Sequence, residues 1–132
     1  MAIQLGVTVR NARLAAIETI VGAAAHLAIR TGAPPANCAA ANSGTLLATI
    51  DLPADWLDAP ASGAVTLLGV WSVAAIDTDT AGHFRIYDGA VCYLQGTIGT
   101  VGSGADMELN DITITSGQIV TVTAFTLTDD NT

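Results

Sequence analysis

HFRIYDGAVCYLQGTIGTVGSGADMELNDITITSGQIVTVTAFTLT, residues 83–128, decides the fold class. It is rich in β-branched and aromatic residues and is punctuated by Asp-Gly, Ser-Gly and a glycine-rich segment. Asp88-Gly89 separates two apolar runs, and Asp-Gly reaches positive φ at little steric cost in a two-residue type I′ turn. That turn sets Ile86 opposite Val91 and Phe84 opposite Tyr93. These four form the expected core face, because aromatic and β-branched cross-strand pairs stabilise sheets. His83, Arg85, Tyr87, Ala90, Cys92 and Leu94 share the other face. Its mixed chemistry suits a second sheet or a partner better than solvent alone.

A second hairpin is expected downstream. Ile112 and Ile114 alternate with Thr113 and Thr115, Ser116-Gly117 supplies a turn, and Gln118 to Thr128 forms the returning strand. In that strand Val120 and Val122 share one parity while Phe125 and Leu127 share the other. A slip of one residue would turn half of these side chains to the wrong face. A β-bulge near Thr123-Ala124 restores them all to one side. Gly96, Gly99, Gly102 and Gly104 mark a flexible connection between the hairpins; no Lys follows them to make a phosphate loop.

Working outward, the 132 residues suit one domain. Residues 1–25 form an N-terminal arm and helix, and residues 26–132 form the body. Only 12% of residues are charged and 51% are hydrophobic, against roughly 25% charged in ordinary soluble domains. No lysine occurs, and the net charge is −8. The surface is therefore neutral and acidic, and association with neighbours is expected to cover part of it. Nucleic-acid binding is disfavoured, since it needs clustered Lys and Arg. The longest uncharged run, Thr31 to Ile50, contains Pro34, Pro35, Asn37 and Asn42 and does not suit a membrane span. The start, MAIQLG, lacks the features of a secretory signal. Cys38 and Cys92 are too few for a disulfide framework and are expected as buried free thiols, with a single bridge as the lesser alternative.

The single helix candidate begins with Thr8 as N-cap, carries Leu14, Ile17, Ile20 and Val21 along one face, and stops at Gly22. Leu27 and Ile29 lie in a short strand, 31–44 is a long surface loop, and Thr45 to Leu52 is a strand ended by Pro53. Asp55-Trp56 falls in a turn, and Val65 to Trp71 is a further strand. About seven strands with turn signals between them indicate an all-β fold, a jelly-roll-like β-sandwich with one short N-terminal α-helix.

The chemistry-bearing residues form no catalytic pattern. His26 and His83 lack a nucleophile elbow and lack metal-ligand spacing. Asp77/Asp79 and Asp106/Glu108 each supply too few oxygens for calcium and are expected as solvated loop carboxylates. Trp56 and Trp71 suit burial in a core or interface, or a sugar-stacking platform. Arg10 and Arg13 are the only basic cluster and the expected contact with an acidic neighbour.

Four stretches carry a resemblance: MAIQLGVTVRNARLAAIETIVG at 1–22, IRTGAPPANCAAANSGTLLATIDLPADW at 29–56, AGHFRIYDG at 81–89 and SGQIVTVTAFTLTDDNT at 116–132. Together the chain resembles small virion structural proteins of tailed bacteriophages, of the capsid decoration (cement) or minor tail type. The resemblance implies a non-enzymatic protein of the virion, assembled in the host cytoplasm, that stabilises the head as a homotrimer on the major capsid protein. It implies no cofactor. A tail or head–tail component is the structural alternative, and a carbohydrate-binding host-adhesion module using Trp56 and Trp71 is the alternative of another class. The expected interface residues are Arg10, Arg13, Trp56 and Trp71.

Overall fold

The structure, a computed structural model, describes residues 3–130. The chain is all-β with one N-terminal helix. Helix α1 spans Val7–Val21, followed by β1 (His26–Thr31), β2 (Leu46–Asp51), β3 (Ala64–Thr66), β4 (Ser72–Ala74) and β5 (Asp79–Asp88). Then come β6 (Val91–Thr100), β7 (Met107–Leu109), β8 (Thr113–Ile114) and β9 (Ile119–Thr128).

The strands join in one path, β2-β1-β5-β6-β7-β9-β3, with β4 also on β9 and β8 also on β5. The path curls on itself: β4 is followed by Ile76, whose N–H donates to Leu47 O of β2 at 2.8 Å. By itself this path does not divide into the two facing sheets of a sandwich or jelly roll. Most neighbours are antiparallel, but β6 and β7 run parallel, with Ile98 paired to Met107.

Inside the curl lies a string of aromatic rings. Trp56 and Trp71 have centroids 6.1 Å apart, Trp71 and Phe125 5.5 Å, and Phe125 and Phe84 5.6 Å edge-on. Both indole N–H groups find carbonyls, Trp56 on Gly22 at 3.3 Å and Trp71 on Leu68 at 3.0 Å. That satisfies the polar edge of each ring and lets the rest sit in apolar surroundings. Leu27, Ile29, Leu47, Ile86, Met107 and Leu109 complete the centre.

Helix α1 begins two residues earlier than Thr8 suggests. Gly6 is its N-cap, without a side-chain cap, and Gly22 ends it, donating to Glu18 O at 2.8 Å. Leu14 and Val21 are buried and Ile17 is partly buried, whereas Ile20 is exposed. At 100° per residue Ile20 points about 120° away from Leu14, off the buried stripe. Arg10 precedes Leu14 by four residues and therefore lies on the inner side.

The turn at Asp88 is present, but its register differs from the expected one. Asp88 pairs with Val91, so the loop is Gly89-Ala90, and a bulge then sets Tyr87 opposite Cys92 but Ile86 opposite Leu94. Phe84 and Ile86 are buried as expected, while Val91 and Tyr93 turn outward. The bulge expected in the last strand lies at Thr123: Ala124 pairs with Glu108, and Val122 pairs with Leu109. Val120, Val122 and Phe125 are all buried in consequence.

Three further expectations are corrected. Gly96 and Gly99 lie within β6, and the connection is confined to residues 101–106. Thr113–Ile114 pairs with β5 instead of forming a hairpin with β9, although Gln118 N still closes a turn onto Thr115 O at 2.9 Å. The strand expected over 65–71 ends at Thr66, because Leu67 and Leu68 switch to the 56–57 segment; the chain then turns and drives Trp71 into the core.

Candidate functional site

Strict alternation along β5 sends Phe84 and Ile86 inward, and so His83, Arg85 and Tyr87 to the opposite face. That face should be wet, yet all three are buried. The cover is the loop at 32–45. Its neck is closed by Thr31 N donating to Thr45 O at 3.1 Å and Thr45 N donating to Thr31 Oγ1 at 2.9 Å. Pinched ends and internal packing make it an Ω-loop.

Arg85 is the peg on which the loop hangs. Its Nε donates to Gln95 Oε1 at 3.1 Å and its Nη1 to Asn42 Oδ1 at 2.7 Å. Its Nη2 faces the carbonyls of Asn37 at 3.0 Å, Cys38 at 3.0 Å and Ala40 at 3.1 Å. These carbonyls converge because Asn37 Oδ1 accepts from Ala39 N at 2.9 Å and Ala40 N at 3.0 Å, which curls the loop. Tyr87 donates its hydroxyl to the same Asn42 oxygen, and its ring lies 5.9 Å from the Arg85 guanidinium carbon. Gln95 Nε2 donates to Pro35 O at 2.6 Å, a further tether. A guanidinium offers five N–H groups in a rigid fork, and here amide, phenol and carbonyl oxygens occupy it.

The rim of this network carries chemistry of its own. Cys92 Sγ contacts Cys38 Sγ at 2.6 Å and lies 3.4 Å from Leu94 O. Burial first, and then the hydrogen bond with Cys38, pushes the Cys92 thiol up from 9.0 to about 11. The two thiols are free, as expected, but they are half-buried instead of buried, and in contact. Beside the network a groove of about 310 Å³ is lined by His26, Arg30, Asn42, Thr49 and Tyr87, among others. The His26 and Tyr87 rings stack in it at 5.4 Å. His83 Nδ1 meets Gly32 O at 3.0 Å, while its buried Nε2 has no hydrogen-bond partner among the described residues.

The residues expected at an interface lie elsewhere. Arg10 Nη1 donates to Asp129 O at 3.1 Å, and Arg13 Nε pairs with Asp129 Oδ2 at 3.1 Å. Asn11 Oδ1 accepts from Gly63 N at 2.9 Å. The basic cluster therefore ties α1 to the end of β9 and is not a free docking patch, although the Arg13 side chain stays 59% exposed. Trp56 and Trp71 are wholly buried, so neither ring is presented to a sugar or a neighbour.

The acidic pairs also do local work. Asp106 Oδ2 accepts from Thr97 N at 2.9 Å and Thr97 Oγ1 at 3.0 Å. Glu108 accepts from Gly102 N at 3.0 Å and Gly104 N at 3.1 Å, which folds the connection that makes the β6–β7 parallel pairing so short. Among the described residues no group of three metal-ligating side chains occurs, and no helix is long and apolar enough to cross a membrane.

Sequence reading placed Arg85 on the mixed face but missed its role. The available signal was an arginine flanked by two apolar neighbours in a strand, together with a long amide-rich loop carrying Asn37 and Asn42. No protein family, curated protein or solved structure matches the chain.

Proposed function

We propose that the chain is a non-enzymatic virion structural protein that binds the outside of a phage head and cements its shell. It acts as a homo-oligomer, a trimer in the simplest arrangement, on the major capsid protein. The observation that carries this reading is the disposition of charge. All four arginines make contacts within the chain: Arg10 and Arg13 at Asp129, Arg30 at Gly44 O and Arg85 under the Ω-loop. With no lysine to add, the outward chemistry is acidic and apolar. Ile3, Ile20, Val70, Ile76, Val101 and Ile119 are each more than half exposed, and Ile76 and Ile119 flank the same β4–β9 ladder. Such a surface suits burial against neighbours better than isolation. The polar groups are correspondingly spent on fixing loops, which suits a rigid building block.

A tail or head–tail component draws on the same surface and is the second reading. The carbohydrate-binding alternative loses its motivation, because both tryptophans are buried. Gold-labelled antibody on intact particles separates the readings. Label over the head shell is expected; label at the tail favours the second reading, and particles free of label contradict both.

A further inference from the structure

We propose that Cys38 and Cys92 close into an intrachain disulfide that fixes the Ω-loop to the β5–β6 hairpin. This modification is independent of the role in a virion. The two thiols are 54 residues apart in the chain and in contact in the fold. Cys38 sits in the middle of the loop, between Asn37 and Ala40, and the carbonyls of all three residues meet Arg85. Cys92 is the second residue of β6, just beyond the hairpin loop. Contacts from Arg85 and Gln95 hold the loop in place, so the sulfurs meet without any movement of either element. Both thiols are only half-buried, which leaves them open to a small oxidant.

A low-molecular-weight disulfide such as oxidised glutathione supplies the oxidising equivalents. The thiolate is the attacking form. Cys38 is the first nucleophile in this sequence, and Cys92 resolves the mixed disulfide. The Cys38 sulfur attacks one glutathione sulfur, the glutathione S–S bond breaks, and one glutathione leaves with the proton from Cys38. Cys92 sulfur then attacks the Cys38 sulfur of the mixed disulfide, and the second glutathione leaves with the proton from Cys92. The protein loses two hydrogens and two electrons, and one glutathione disulfide becomes two thiols.

The test takes the full-length reduced chain into oxidised glutathione and follows intact mass, free thiols and melting midpoint. Both thiols should disappear together, leaving a chain two hydrogen masses lighter, with no glutathione attached and no covalent link to a second copy. The midpoint should rise by about 10 °C, as expected for cross-linking a long loop, and dithiothreitol should reverse the rise. Cys92→Ser should trap one glutathione on Cys38 without that rise. Wild-type chain that accumulates glutathione on both cysteines, cross-links to a second copy, or melts at the same temperature before and after oxidation would overturn the proposal. The wild-type comparison holds even if a serine variant folds poorly.

Discussion

Arg85 Nη1 and Asn42 Oδ1 lie 2.7 Å apart, joining β5 to a loop residue 43 positions away in the chain. The contact explains how a strand can bury both of its faces. Phe84 and Ile86 enter the apolar interior, and Arg85 enters a polar one built by the loop. A buried cation is costly unless every donor is met. Here three backbone carbonyls meet Nη2, and side-chain oxygens of Gln95 and Asn42 meet Nε and Nη1.

Arg85→Met should destabilise the protein by about 3 kcal/mol, because several loop oxygens lose their donor while remaining partly shielded from water. Arg85→Lys should recover less than half, since one ammonium cannot span the fork between Gln95 and the loop carbonyls. Urea unfolding measures both. A lysine variant as stable as the wild type would show that the loop is not held by the guanidinium.

Glu18 joins the helix to the segment that delivers Trp56. Its Oε2 accepts from Trp56 N at 2.9 Å and also from Leu57 N. Glu18→Ala should cost about 2 kcal/mol, because two backbone donors lose a charged acceptor. Glu18→Gln retains an acceptor and should cost clearly less. Equal losses in the two variants, read by denaturant midpoint, would contradict this role.

Two glycines of the hairpin should respond differently to a side chain. Gly89 has φ of 58°, and an added Cβ meets nothing within 4 Å. Gly89→Val should therefore cost about 1–2 kcal/mol from backbone conformation alone. Gly96 has no such φ, but its Cβ would come within 2.8 Å of the buried Phe84 ring and 2.9 Å of Asp106 Oδ2. Gly96→Ala should cost about 1–3 kcal/mol through overpacking, and it should perturb the Thr97–Asp106 amide signals. Gly89→Val should leave those signals unchanged.

The sequence disclosed what local chemistry controls. The parity break between Val122 and Phe125 marked a bulge, and Thr123 is where it falls. Asp88-Gly89 marked a turn, but the observed register is set by a bulge at Tyr93 that no local signal announces. Long-range choices were hidden. The alternation in Thr113–Ile114 is the same whether its partner is β9 or, as observed, β5. The loop at 31–44 was visible as a long loop, yet only the fold shows that its carbonyls converge on Arg85. Arg10 and Arg13 read as a free basic cluster because Asp129 lies at the other end of the chain.

The reduced protein should lose stability as pH rises from 9 towards 11. The folded state holds the Cys92 proton up to about 11, whereas an ordinary thiol releases it near 9.0. Below pH 9 both states are protonated and the stabilisation is complete. Between the two values the unfolded chain binds fewer protons than the folded one, so stability falls with pH. Denaturant titrations under reducing conditions should show this slope in the wild type and lack it in Cys92→Ser. Parallel profiles for the two proteins would contradict the assignment.

A chain whose arginines are all engaged internally should not remain alone. Multi-angle light scattering at micromolar concentration should give a homo-oligomer, with three copies as the expected mass. Polar substitution at Ile76 and Ile119 together should shift it towards monomer if the β4–β9 edge is the contact. A monodisperse wild-type monomer would contradict the association.

The proposed reinforcement of a phage shell from outside can be tested by add-back. Purified protein is mixed with heads assembled without it, and the temperature at which the heads release their DNA is compared with and without addition. The expected result is saturable binding to the shell and DNA release at a higher temperature. Heads that fail to bind the protein, or that bind it and release DNA at an unchanged temperature, would contradict it.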